Sequence, residues 1–218
     1  MIFFADADRG QTEWKQRDGH ASLFGGNLMP VLDNLKKLNE QTKRYPHPLA
    51  GESVTSKMLY ATGVGMMASS DDVIDGKEKT YLENLLLSMD ISGSTLPVVI
   101  ASATEGAETT ILALVQSMKT PAHKHAFALD LLAIMRVGAS VGAESKEKLK
   151  HFIDLVRITT ADIAFIVTFS RASATKSSPM VDKALMQGHK NGVHPDPALL
   201  RYFYPELTPV QLRMAAER

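Results

Sequence analysis

The stretch KTYLENLLLSMD, residues 79–90, spaces Tyr81, Leu82, Leu85, Leu86 and Met89 three and four residues apart. That spacing gathers side chains onto one face of an α-helix. The same period returns in NLMPVLDNLKKLNEQTKRY, SVTSKMLYATGVGMMASS, EGAETTILALVQSMKT, PAHKHAFALDLLAIMRVGAS and SKEKLKHFIDLVRIT. A half-buried strand needs strict alternation instead, and a hairpin needs a tight-turn dipeptide between two such runs. Asn191-Gly192 is such a dipeptide but lacks strand flanks. ADIAFIVTF is rich in β-branched residues, yet its helical surroundings favour a buried helix. The chain reads as all-α, a bundle of about seven to nine helices.

Start signals sharpen that outline. Asn27 and Pro30 suit the opening of one helix, Pro121 and Ser145 mark two more, and Thr208 followed by Pro209 makes a cap and first turn. Gly63 and Gly65 lie inside a helical pattern, where each costs about 1 kcal/mol against alanine. They mark close helix packing rather than a break. Texture then divides the chain in three. Residues 1–26 form an N-terminal arm without a clear period, apart from a short helix around Trp14, and residues 27–169 form the helical core. Residues 170–218 begin with the connection SRASATKSSPM and continue as a tail of short helices, SPMVDKALMQGHK, DPALLRYFY and TPVQLRMAAER.

Composition excludes several function classes. With no cysteine there is no disulfide, thiolate zinc site, iron–sulfur cluster or cysteine nucleophile. Lysine plus arginine equals aspartate plus glutamate, 24 each, so the basic excess of a nucleic-acid binder is missing and no such partner is expected. No run reaches the ~18 apolar residues of a membrane span, and MIFFADADRG lacks the basic start of a secretory signal. A cytoplasmic location is expected. There is no Gly-x-Ser-x-Gly elbow and no phosphate loop. The eleven methionines fall on apolar faces, where core filling is their ordinary role and an adaptable partner groove the other one.

Two sets of residues could hold a metal. Asp71, Asp72, Asp75 and Glu78 put four carboxylates within eight residues, the hard oxygen donors that calcium and magnesium favour. Aligned as a calcium-binding EF-hand loop, the run fails, because Leu82 stands where the bidentate glutamate belongs. Helix capping by Asp75 or Gly76, with Glu78 in the first turn, explains the same residues. The second set is histidine. His123 and His125 are two apart on a helix, hence on different faces, and are expected to face solvent. His189 and His194 flank KNGV and, with Asp196, form a candidate small site.

One echo links two parts of the chain. Met66–Glu78 and Met135–Glu147 share a spacing, and both end in Lys-Glu-Lys at a helix start. That suggests a duplicated helix pair. The run Ala68, Asp71, Ile74, Glu78, between two apolar helices, resembles the TerB-like (tellurite-resistance TerB) family over about residues 50–160. The resemblance implies an all-α bundle of two related helix pairs whose turns meet in an acidic surface for a metal ion or a partner. Carried over, the candidates are Asp71, Asp72, Asp75, Glu78 and Glu147, with calcium or magnesium as the cation. The chain departs from the family at Asp72, where the family has glycine, and at Ser140 and Val141, where it has aspartate and glycine.

The expected function is therefore non-enzymatic. The resemblance implies a helical interaction or scaffold module of a bacterial stress-response or membrane-associated complex, with protein partners and peripheral rather than spanning membrane association. The alternative is an adaptor or structural subunit of a secretion, conjugation or phage assembly, working through the MIFF arm and the LLRYFYPEL tail. A metal-dependent helical hydrolase would need histidine partners beside the carboxylates.

Overall fold

The Ser53 hydroxyl accepts the N–H of Ser56 and opens α1, Val54–Ala68, the helix on which the next five α-helices pack. The structure, a computed structural model, describes residues 45–69, 74–138 and 142–216. All of these belong to one unit, Leu38–Arg218. The arm, the helix expected from Asn27, and Asp71 and Asp72 lie outside the described residues. After α1 come α2 (Gly76–Ser88), α3 (Leu96–Glu105), α4 (Glu108–Ser117) and α5 (Pro121–Val137). Then follow α6 (Ala143–Leu155), α7 (Thr160–Thr175), α8 (Ser178–Lys190), α9 (Pro197–Phe203) and α10 (Pro209–Ala216). Among the described residues there is no strand, and no single helix is long and apolar enough to cross a membrane. The all-α reading holds.

Local chemistry sets most boundaries. Thr120 and Pro121 open α5, and Thr208 with Gln211 forms a reciprocal cap on α10. α6 begins at Ala143 behind Gly142, so Ser145 is buried in the first turn rather than capping it. Gly106, at φ 61°, ends α3 in the left-handed conformation, and the next helix starts only at Glu108. Gly63 and Gly65 are packing residues, as expected. A Cβ at Gly63 would lie 2.4 Å from Leu114 Cδ2, and one at Gly65 3.0 Å from the Ala103 Cβ. α4 and α3 thus seat directly on the α1 backbone.

The boundary expected at residue 170 is not there. SRASAT continues α7 to Thr175, because its small residues let α8 pack closely; Ser170 and Ala172 are buried. The tail is also core. Val181, Leu199 and Leu200 are fully buried, and Leu185, Tyr204 and Ala215 nearly so.

The helices repeat. Val54 and Pro121 open the first helix of each copy and Gly76 and Ala143 the second, a displacement of 67 residues both times. At that displacement Tyr60 matches Phe127, Val64 matches Leu131 and Met67 matches Ile134, all buried. Leu82, Leu85, Leu86 and Met89 match Leu149, Phe152, Ile153 and Val156, all buried or half-buried. Even the exits agree. Asp90 (φ 61°) and Arg157 (φ 56°) both turn left-handed. The Ile91 N–H then bonds Leu86 O at 2.9 Å, and the Ile158 N–H bonds Ile153 O at 3.2 Å. The copies face each other: α1 packs on α5, α2 reaches α5 and α6 reaches α1.

The Lys-Glu-Lys echo is two residues out of this register. Asp75 and Glu78 are the N-cap and third residue of α2, and their counterparts are Gly142 and Ser145. Glu147 is the fifth residue of α6 and exposed, so it does not occupy the place that Glu78 has in the first copy.

Candidate functional site

Asp130 is the one charged residue between Lys124 and Arg136, at the middle of α5. It is 0% exposed, and aspartate is almost never buried so fully without partners. Its partners come from three other segments. The Tyr81 hydroxyl, on α2, donates to Oδ1 at 2.6 Å, and the Tyr60 hydroxyl, on α1, donates to Oδ2 at 2.6 Å. His47, in the segment leading into α1, reaches Oδ2 through Nε2 at 3.1 Å. The tautomer follows from the ring's other side. Leu49 N–H donates to His47 Nδ1 at 3.1 Å, so that nitrogen is an acceptor and the proton sits on Nε2. Both carboxylate oxygens are acceptors, three donors in all.

A second shell closes over this centre. Tyr202 of α9 stacks edge-on to His47, ring centres 4.8 Å apart, and donates its hydroxyl to Ser88 Oγ at 3.0 Å. Ser88 donates to Leu85 O at 2.7 Å, and its own carbonyl accepts the His47 N–H. Burial, and then the Asp130 charge, hold the Tyr60 and Tyr81 hydroxyls well above the ordinary tyrosine range, so both remain donors. Burial also pushes Tyr202 up. Asp130 takes the position of Gly63 in the first copy, so the second copy supplies the acceptor and the first supplies two donors. The node joins the repeats, the lead-in segment and α9. It is sealed from solvent, with every polar atom of the three donors and the carboxylate engaged.

The acidic turn is a helix cap where it is described. Asp75 Oδ1 accepts the N–H groups of Lys77 (2.7 Å) and Glu78 (2.8 Å), while Glu78 Oε2 accepts the Asp75 N–H at 2.9 Å. This is a capping box. Asp75→Ala is expected to lower stability by about 1 kcal/mol, read as a shift of the urea midpoint at constant slope. Glu147 lies with Glu144, Lys148 and His151 around a shallow open depression of about 330 Å³ on α6. The depression adjoins the end of α1, where Lys148 Nζ donates to Met66 O at 3.2 Å. Glu78 Oε1 lies against Gly138 at the end of α5. Among the described residues no three histidine, aspartate or glutamate side chains are grouped to hold a metal ion.

His123 and His125 do not face solvent: they are 6% and 4% exposed. Two residues apart on a helix need not mean opposite environments when α1, the lead-in segment and α7 cover both faces. His123 Nε2 lies 3.8 Å from Glu52 Oε1, and His125 Nε2 3.0 Å from Asp162 Oδ1. Nδ1 of each ring is buried without a hydrogen-bond partner. Burial lowers the pKa of both, outweighing the neighbouring carboxylates.

A pH window follows. Below the unfolded value of 6.5 the unfolded chain takes protons on these histidines that the folded chain refuses, so stability falls as pH drops. Above the unfolded tyrosine value of 10.0 the unfolded chain loses protons that the buried tyrosines keep, so stability falls as pH rises. Urea midpoints measured from pH 5 to 11 are expected to form a plateau between those two values.

Sequence reasoning counted Tyr81 as an apolar-face residue and passed over His47, Tyr60 and Asp130. The available signal was a lone aspartate inside HAFALDLLAIM. No protein-family model, no curated protein and no solved structure matches the chain.

Proposed function

We propose that the chain is a non-enzymatic helical interaction module that works through its surface within a larger assembly. The observation that carries this reading is the sealing of the Asp130 node. The carboxylate, imidazole and hydroxyls that gather in space are the groups general acid–base chemistry would use; His47, Tyr60 and Asp130 are buried, Tyr81 is half-buried, and each donor is bonded to the carboxylate. Their role is to hold two repeats in register. The exposed remainder offers a surface, and the α6 face with Glu144, Glu147, Lys148 and His151 beside the end of α1 is one shallow depression on it. The resemblance to TerB-like proteins agrees with this reading and suggests a bacterial stress-response or membrane-associated complex. The paired carboxylates of Glu144 and Glu147 there would take a basic partner or a divalent cation.

Charge reversal tests the proposal. Glu144→Lys with Glu147→Lys changes two exposed side chains, so folding is expected to be unaffected. In gently lysed native cells the wild-type chain is expected to elute above its own mass, and the double variant as the free chain. A wild-type chain eluting alone would overturn the proposal.

A further inference from the structure

The turn between α8 and α9 carries two exposed histidines held at a set separation. His189 lies in the last turn of α8 and His194 five residues on, with ring centres 5.9 Å apart and planes at 86°. The backbone between them is locked. The N–H of Gly192 bonds His189 O at 3.1 Å, that of Val193 bonds Gly188 O at 2.9 Å, and Gly192 adopts φ 72°. Val193 and Pro195 are buried on either side of His194, and Gly188 packs against the Phe165 ring. The backbone therefore fixes where the two imidazoles are anchored, and only side-chain rotation separates them from a shared ion.

We propose that His189 and His194 form a two-imidazole site for a divalent cation of the zinc, copper and nickel class. Two histidine nitrogens, each about 2.0–2.1 Å from one metal, put their ring centres roughly 4.5–5.5 Å apart, so the rings, now 5.9 Å apart, close onto one ion with a small turn of either exposed side chain. Imidazole is a borderline donor that suits these ions and not calcium or magnesium, which need hard oxygens. The C-terminal end of α8 adds the negative end of its macrodipole. Lys190 is the nearby cation in sequence, and Asp196 uses Oδ1 to cap α9 through the Ala198 N–H at 2.7 Å. Two protein ligands leave coordination positions open for water or for a group from outside the chain. This site is separate from the acidic turn and from α6.

Copper(II) titrated into the full chain, followed by electron paramagnetic resonance, tests the proposal. The expected result is one strongest site with hyperfine coupling from two nitrogens. His189→Ala or His194→Ala should each weaken it at least about tenfold. Both side chains are exposed, so neither substitution is expected to move the thermal midpoint. Undiminished binding in either single variant, or no copper site in the wild type, would overturn it.

Discussion

Asp130→Ala is expected to destabilise the protein by about 3–5 kcal/mol, the cost of breaking a buried charged network. The reason lies in what remains. His47 Nε2, Tyr60 and Tyr81 keep donors that lose their shared acceptor, and each donor left orphaned in the core costs about 1–3 kcal/mol. The same reasoning gives an unusual second expectation. Asp130→Leu combined with Tyr60→Phe and Tyr81→Phe removes the acceptor and two of its three donors together, leaving only His47 Nε2 orphaned, so it should be more stable than the sum of its parts implies by about 2 kcal/mol. Equilibrium urea unfolding of the single and combined variants measures both. Strict additivity would mean that the hydroxyls do not depend on the carboxylate.

Phe127→Ala is the second large effect, about 3–5 kcal/mol for a buried phenylalanine whose site cannot collapse. Phe127 meets Tyr60 edge-on at 5.4 Å and Phe152 at 5.6 Å, and it lies against the bare backbone of Gly63. Tyr60 and Phe127 are counterparts in the two copies, so the cavity would open between the repeats rather than inside one. A fall of the thermal midpoint by roughly 6–20 °C is expected for a domain of this size. Phe127→Leu should cost less, because most of the volume stays filled.

How far the sequence could reach depended on whether a feature was local. Caps and helix periods were legible because they are set within four residues: Asp75 with Glu78, Thr120 with Pro121, Thr208 with Gln211. Glycine packing was legible too, since two glycines in one helix need a reason. SRASAT was misread because serine, alanine and threonine serve both connections and closely packed helix faces, and only the presence of α8 decides between them. The duplication was half seen. Lys-Glu-Lys is a surface pattern that little constrains, and it pointed to the wrong register. The apolar series Leu82, Leu85, Leu86, Met89 and Leu149, Phe152, Ile153, Val156 marks the right one, because packing constrains it. The Asp130 node was the least legible, since its partners lie 83, 70 and 49 residues away along the chain.

The central claim is that the acid–base groups of the Asp130 node are closed into the core and serve structure. Modification of the native protein by diethyl pyrocarbonate, mapped by mass spectrometry, tests it most directly. His151 and His189 are exposed and should react readily, while His47 should react only as fast as the chain unfolds. His47 modified as quickly as His189 would contradict the claim and make the Asp130 node a site open to substrate.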